Sequence, residues 1–217
     1  KFKKISGILN GTTNYILTTM LNQNLSFEEV LEIAKSKGYT SDAESELDIG
    51  GLDSAHKLTI LATICFGSQI NFLNNNVTGI SNINIDDIVN ANKLGYKIKL
   101  ISDAHILGNK ISLVTEPKLI DKKLPLANVD GVLNAINIET DQLVSMFIEG
   151  EGAGGKPTAS SVIADLYEIS SKTNIPSLGH NTNNLKDYKK YSDLDVESPY
   201  YLRIITKDFT GVLSKIT

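Results

Sequence analysis

The chain has 217 residues, a hydrophobic share of 41% and a formal net charge of −4, enough for one large soluble-type domain or one and a half. No long basic run is present, so neither nucleic acid nor an anionic membrane surface is an expected partner. No apolar stretch reaches ~18 residues, which argues against a membrane span, and the single cysteine, Cys65, excludes an internal disulfide and fits a reducing cytoplasm.

Residues 7–21, GILNGTTNYILTTML, join a small polar turn to an apolar helical pattern. Ser26-Phe27-Glu28-Glu29 reads as a capping box ahead of VLEIAKSK, and Gly38 stops that helix. A polar, acidic stretch runs from Tyr39 to Gly51. LDSAHKLTILATICFG then reads as a helix that is polar at its start and apolar nearly all round later, the pattern of a buried helix. Asn-rich sequence at 71–84 reads as loop with a short strand, and IDDIVNANKLG as a further helix.

From Tyr96 the period changes. YKIKLISDAHIL and KISLVTEPKLI flank Gly108-Asn109 and predict a β-hairpin. VLNAINIE and LVSMFIEG continue the sheet, TASSVIADLYEISSK is helical, and residues 174–196 read as polar and irregular. The last stretch, YYLRIITKDFTGVLSKIT, reads as strand, turn and helix start. The chain begins without an initiator Met and ends inside an element, which predicts a piece of a longer protein. The pattern predicts an α+β architecture, with helices on one face of a mostly antiparallel mixed sheet.

The glycine-rich turn GEGAGGKPT, 150–158, invites several readings. Gly150, Gly152 and Gly155 satisfy G-x-G-x-x-G, and Gly150, Gly155 and Lys156 approach G-x-x-x-x-G-K-[ST]. A triphosphate loop needs a hydroxyl after the Lys, and Pro157 supplies none. A dinucleotide fingerprint needs a second strand after the helix, and polar sequence follows Ser170 instead. A plain turn feeding a helix remains, with Pro157 near its start. So does a turn whose bare backbone and helix N-terminus touch a cofactor held mainly elsewhere.

The segment GYTSDAESELDIGGLDSAHKL crowds Asp42, Glu44, Glu46, Asp48 and Asp53. No glycine sits where an EF-hand loop requires it and no His/Cys pair has zinc spacing, so no metal site is expected. On composition alone this is a solvated acidic loop. Asp53 and Lys57 are i,i+4 on one helix face. Most such pairs are surface salt bridges, but this one sits at the mouth of an apolar helix, where a carboxylate-held Lys is a credible proton donor. His56 points about 100° from Lys57. It reads as structural, and Cys65 as a packed core thiol; His105 and His180 have no nearby nucleophile.

These segments together resemble the homoserine dehydrogenase family. GILNGTTNYIL resembles the opening of its substrate domain. GYTSDAESELDIGGLDSAHKL resembles its catalytic segment, GY-x-E-x-D-P-x-x-D-x-x-G-x-D-x-x-x-K. PLANVDGVLNAI and GEGAGGKPTASSVIAD follow in the family's order. YYLRIITKDFTGVLSKI resembles the start of an ACT regulatory domain. The resemblance implies a substrate-binding, catalytic and dimerisation domain over 1–180, a linker over 181–196 and a partial ACT-like piece over 197–217. It implies NAD(P) held mainly by an N-terminal Rossmann domain absent from this chain, so that the fragment alone is inactive. It also implies interconversion of L-homoserine and L-aspartate 4-semialdehyde in threonine and methionine biosynthesis, in the cytoplasm.

Residue by residue, the resemblance makes Lys57 the proton donor and Asp53 its carboxylate partner. It places Gly11, Thr12, Asp42 and Asp48 at the substrate and Gly154 at the cofactor. Asp42 stands where the family usually has Glu, and Glu44-Ser45 where it has Asp-Pro. A homodimer or higher homo-oligomer and an amino-acid effector at the ACT piece are further implied. Two alternatives stand beside this reading: a non-catalytic dimerisation and amino-acid-sensing module, and a related semialdehyde dehydrogenase.

Overall fold

The computed structural model describes residues 1–171, 176, 178–191, 198–207 and 210–216. The first strand, β1 (Phe2–Ile8), runs directly into α1 (Gly11–Gln23), followed by α2 (Phe27–Ser36), α3 (Asp42–Ile49) and α4 (Leu52–Phe66). A short strand β2 (Asn76–Val77) and α5 (Ile85–Lys93) lead to the long hairpin β3 (Tyr96–Leu107) and β4 (Lys110–Asp121). Then come β5 (Leu133–Thr140), β6 (Met146–Glu151), α6 (Gly155–Ser170) and the short strand β7 (Lys189–Lys190).

The sheet order is β2-β4-β3-β1-β5-β6, with β7 also on β4. Among the described strands only β2 and β7 pair in parallel, so the sheet is mixed and mostly antiparallel, as the sequence pattern predicts. The hairpin closes at Leu107↔Lys110, and Gly108 takes the positive φ of 60° that a tight two-residue connection favours.

β1 is central, between β3 and β5, although KFKKISGI carries little strand signal of its own. Ile5 and Ile8 are buried on opposite faces of the pleat. On the Ile5 side, α4 packs Leu58, Ala62 and Phe66 against Ala104 and Leu113. Further along, α1, α2 and α5 bury Ile16, Met20, Val30 and Ile88 against Ile98 and Leu100. Each such side chain contributes about 1.5–3 kcal/mol of burial. On the Ile8 side, Ile101, Val129 and Ala135 cluster with Leu126 and Phe147.

Three departures from the sequence pattern bear on the site. The acidic stretch folds as a helix, α3, because Ala43, Glu44, Glu46 and Leu47 are good helix formers and its acidic start suits a helix N-terminus. Helix α4 buries one side only: Ile60 and Ile64 remain 54% and 39% exposed, because the sheet covers a single face of it. Helix α6 starts at Gly155, three residues earlier than the pattern suggested, and none of its residues is buried. No described helix is long and apolar enough to cross a membrane.

In the stretch read as a linker, the described part runs beside the core. Ser68 and Lys186 form a bridge, and Lys189 and Lys190 pair with Lys110 and Ile111. Further on, Arg203 binds Asp87 through Nε at 2.7 Å and Asn90 donates to the Tyr201 hydroxyl at 3.3 Å, tying this segment to α5. Asp208, Phe209 and Thr217 of the ACT-like stretch lie outside the described residues.

Candidate active site

The site forms where β1 ends and α1 begins. Asn10 is the N-cap of α1: its Oδ1 accepts from Thr13 N at 2.8 Å. That bond fixes the amide plane and leaves Nδ2 facing the acidic segment. Nδ2 donates to Asp48 Oδ1 at 2.7 Å and to Asp53 Oδ2 at 2.9 Å. Asn10 is 5% exposed, so its amide holds both carboxylates from a buried position.

Lys57 completes the group. Its Nζ donates to Asp53 Oδ2 at 2.6 Å and to Leu9 O at 3.2 Å. An ammonium has three N–H donors, so one remains for a substrate oxygen. The side chain is 49% exposed and that of Asp53 31%, which leaves the pair accessible. Thr40 donates to the second Asp48 oxygen at 3.1 Å, so both Asp48 oxygens are oriented.

Local sequence explains how Asp48 and Asp53 meet. Helices α3 and α4 are joined by Gly50 and Gly51, and Gly51 adopts φ 82°. The turn is pinned from behind: Ile80 N donates to Ile49 O at 2.9 Å, and a Cβ on Gly79 would come within 2.2 Å of that same carbonyl. Asp53 lies in the first turn of α4, where the helix dipole favours its charge.

The other expected site residues fall as follows. Gly11 opens α1, and a Cβ there would meet Val132 O at 2.6 Å, so the position admits only glycine without movement. The Thr12 hydroxyl donates to Tyr39 O at 2.9 Å, tying α1 to the turn before α3. Asp42 stands apart from the Asn10 group. It is exposed and pairs with Lys35 at 2.8 Å, a bond that lowers the Asp42 pKa. Gly154 precedes α6 with φ 120° and is exposed.

Asn10 and Thr40 are the site residues that sequence reasoning did not single out. The N-cap role of Asn10 is readable from N-G-T-T; its reach to Asp48 and Asp53 is a tertiary fact. Of the histidines, His56 stacks on Phe72 at 4.2 Å and His180 Nε2 contacts Ile64 O at 2.9 Å. Among the described residues no group of His, Cys, Asp and Glu has the arrangement of a metal centre. Cys65 is partly buried, which pushes its thiol pKa up.

What fold and site define is an α+β domain presenting a carboxylate-held lysine beside a second oriented carboxylate, an arrangement suited to proton transfer on a small polar substrate. Residues 1–167 match the homoserine dehydrogenase family. The chain is 38% identical over 218 residues to the homoserine dehydrogenase of Pseudomonas aeruginosa, covering 98% of itself and 50% of that protein. It is 39% identical over 211 residues to that of Helicobacter pylori, covering 97% and 49%. Its structure resembles a homoserine dehydrogenase from Thiobacillus denitrificans with a TM-score of 0.81 at 37% identity, over 88% of this chain and 45% of that one. A hyperthermophilic archaeal homoserine dehydrogenase in complex with NADPH gives 0.67 at 28% identity, over 82% and 49%. The chain belongs to the homoserine dehydrogenase family, and it spans about half the length of the curated relatives it matches.

Proposed function

We propose that this chain is the substrate-binding and catalytic part of an enzyme that interconverts L-homoserine and L-aspartate 4-semialdehyde, a step of threonine and methionine biosynthesis in the cytoplasm. The observation that carries the reading is the Lys57 ammonium, bonded to Asp53 and Leu9 O with one donor open. Lys57 gives its proton to the aldehyde oxygen in reduction and takes the alcohol proton in oxidation. Asp53 holds Lys57 in place through the 2.6 Å bond to its Nζ. Asp48, outside that pair, receives the substrate ammonium. Gly11 and Thr12 shape the same wall, and Asp42, on the rim, reaches the substrate only if it leaves Lys35.

NAD(P), held mainly by an N-terminal domain of the full-length enzyme, would supply or accept the hydride when bound. The glycine turn fits a contact with such a group rather than a full cradle. A Cβ on Gly155 would meet nothing within 4 Å, so the backbone lies bare at the start of α6. Gly154 is the proposed contact there. By this reading the fragment alone does not turn over. The proposed domain limits remain 1–180, 181–196 and 197–217, with a homodimer or higher homo-oligomer and an amino-acid effector at the ACT-like piece. The ties of Arg203 to Asp87 and Tyr201 to Asn90 support communication between that piece and the core.

The test is NAD(P)H absorbance on the full-length parent with L-homoserine, beside its Lys57→Ala variant. Loss of the acid/base group should lower kcat by about 10²–10⁴-fold with folding unchanged. Near-parental turnover in the folded variant would remove Lys57 from the mechanism.

A further inference from the structure

The segment Pro125–Ile136 contributes none of the charged groups at the site, yet it is firmly anchored beside it. Lys99, 2% exposed in the middle of β3, donates to Val129 O at 2.6 Å, to Asp130 Oδ1 at 3.0 Å and to Asn14 Oδ1 at 2.9 Å. Asn14 Nδ2 in turn donates to Val129 O at 3.0 Å and Leu133 O at 3.1 Å. These bonds fasten the backbone from Val129 to Leu133 onto α1. The Val132 carbonyl lies so near Gly11 that a Cβ would close to 2.6 Å.

Asn134 is the next residue. It pairs with Gly150 across β5 and β6, and Gly152 follows one residue past the end of β6. A Cβ on Gly152 would come within 2.0 Å of Asn134 Nδ2 and 2.8 Å of its Cγ. On the other side, a Cβ on Gly11 would lie 3.6 Å from Asn134 Oδ1. That oxygen is buried and has no hydrogen-bond partner among the described residues. Folding stability alone disfavours an unpaired buried amide oxygen at such a place.

We propose that Asn134 is a positioning residue: its side chain is the spacer that seats the glycine turn against the N-terminal end of α1. Asn134 thus stands between Gly152, which it crowds, and the start of α1 at Gly11, and the neighbouring Asn10 holds Asp48 and Asp53. The turn is therefore set in height against the group that carries Lys57. Gly152 has no side chain because Asn134 occupies its space. The inference rests on the reading of the turn as a cofactor contact.

A double-mutant cycle in the full-length enzyme tests it, with NAD(P)H affinity read from the fluorescence of the reduced cofactor. Gly152→Ala should weaken NAD(P)H binding by about tenfold, because its Cβ expels Asn134 and lifts the turn. Asn134→Ala should weaken it several-fold, with KM for homoserine within about twofold of the parent. In the Asn134→Ala background, Gly152→Ala should add less than about threefold, because the space is then free. The unfolding midpoint should show the same suppression. Equal effects of Gly152→Ala in both backgrounds overturn the proposal, as does Asn134→Ala with a lowered midpoint and parental cofactor affinity. A folded parent that binds no NAD(P)H overturns the functional reading together with this one. A parent that binds and turns over but gives an additive cycle overturns this one alone.

Discussion

The amide of Asn10 is the element on which the site depends most, and Asn10→Asp tests it with almost no change of shape. Asp is as good an N-cap as Asn, so the bond from Thr13 N survives. Only Nδ2 is exchanged, for an oxygen placed 2.7 Å from Asp48 Oδ1 and 2.9 Å from Asp53 Oδ2. An ionised carboxylate there would be repelled by about 1.5–6 kcal/mol per contact as the effective dielectric falls from 80 to 20, so the two contacts sum to about 3–12 kcal/mol. Keeping the new carboxyl protonated at pH 7 costs about 4 kcal/mol, from roughly three units above an ordinary Asp value at 1.36 kcal/mol per unit. Protonation is the cheaper outcome over most of that range, and it caps the penalty. The folded-state pKa is thus raised above the unfolded one, so the folded variant binds the extra proton between them and its stability falls as pH rises. Urea unfolding should find the variant less stable than the parent by about 4 kcal/mol at pH 7 and about 1.5 kcal/mol at pH 5. An equal deficit at both pH values would show that Nδ2 is not held between the two carboxylates.

Gly79→Ala should disturb the site from behind. Its Cβ would lie 2.2 Å from Ile49 O and 2.7 Å from Gly50 Cα, so the turn carrying Asp48 and Asp53 must shift. A loss of about 1–3 kcal/mol in urea unfolding with a raised KM for homoserine is expected, and parental values of both would refute the close approach. Burial pulls the Lys99 ammonium below the ordinary lysine value of 10.5, against the opposing pull of Asp130. The unfolded state then binds more protons in the window below that value, so stability should rise with pH there. Lys99→Met should flatten this rise, and an unchanged slope in denaturation across pH 8–10, about the span below an ordinary lysine pKa, would argue against a buried charge. Burial pushes Asp87 up, but Arg203 and the Asn84 backbone outweigh it and hold its carboxyl low. The stability this adds is present above the ordinary carboxylate value and is lost as pH falls through the lowered one. Arg203→Gln should therefore destabilise at neutral pH and approach the parent in acid; a gap that does not narrow would sink the ion pair's role.

Legibility followed locality. The β3–β4 hairpin was readable because Gly108-Asn109 punctuates two alternating runs, and Ser26 and Glu29 announced α2 by a capping box that the structure shows in full. β1 was not readable: Phe2-Lys3-Lys4-Ile5-Ser6-Gly7 has little β-branched content, and its place is set by partners on both sides, β3 and β5. The acidic stretch looked like solvated loop because charge density masked its helix formers. At the site, the Asp53–Lys57 pair is readable from i,i+4 spacing, and its reading as a proton donor from the apolar helix that it opens. Asp48 comes from the family resemblance. Asn10 shows its cap from sequence, but its donors reach across 38 and 43 residues, a distance no local rule spans. The apolar run in α4 predicted burial all round, whereas one sheet can cover only one side of a helix.

The charge at the site explains why an amide stands at its centre. Asp48, Asp53 and Lys57 carry a formal balance of one negative charge, which on the proposed reading complements the ammonium of an amino-acid substrate. A Lys or Arg in place of Asn10 would also hold the two carboxylates together, but it would cancel that charge and occupy Asp48, the carboxylate proposed to receive the substrate ammonium. A hydroxyl has a single proton to donate and could serve only one carboxylate at a time. Asn has two donors on Nδ2, both usable because Oδ1 is committed to Thr13 N, and it adds no charge. The cap bond that starts α1 is therefore also what aims the site: a substitution that releases Thr13 N frees the amide to rotate, and Asp48 and Asp53 lose their common donor even if the side chain at position 10 still has one.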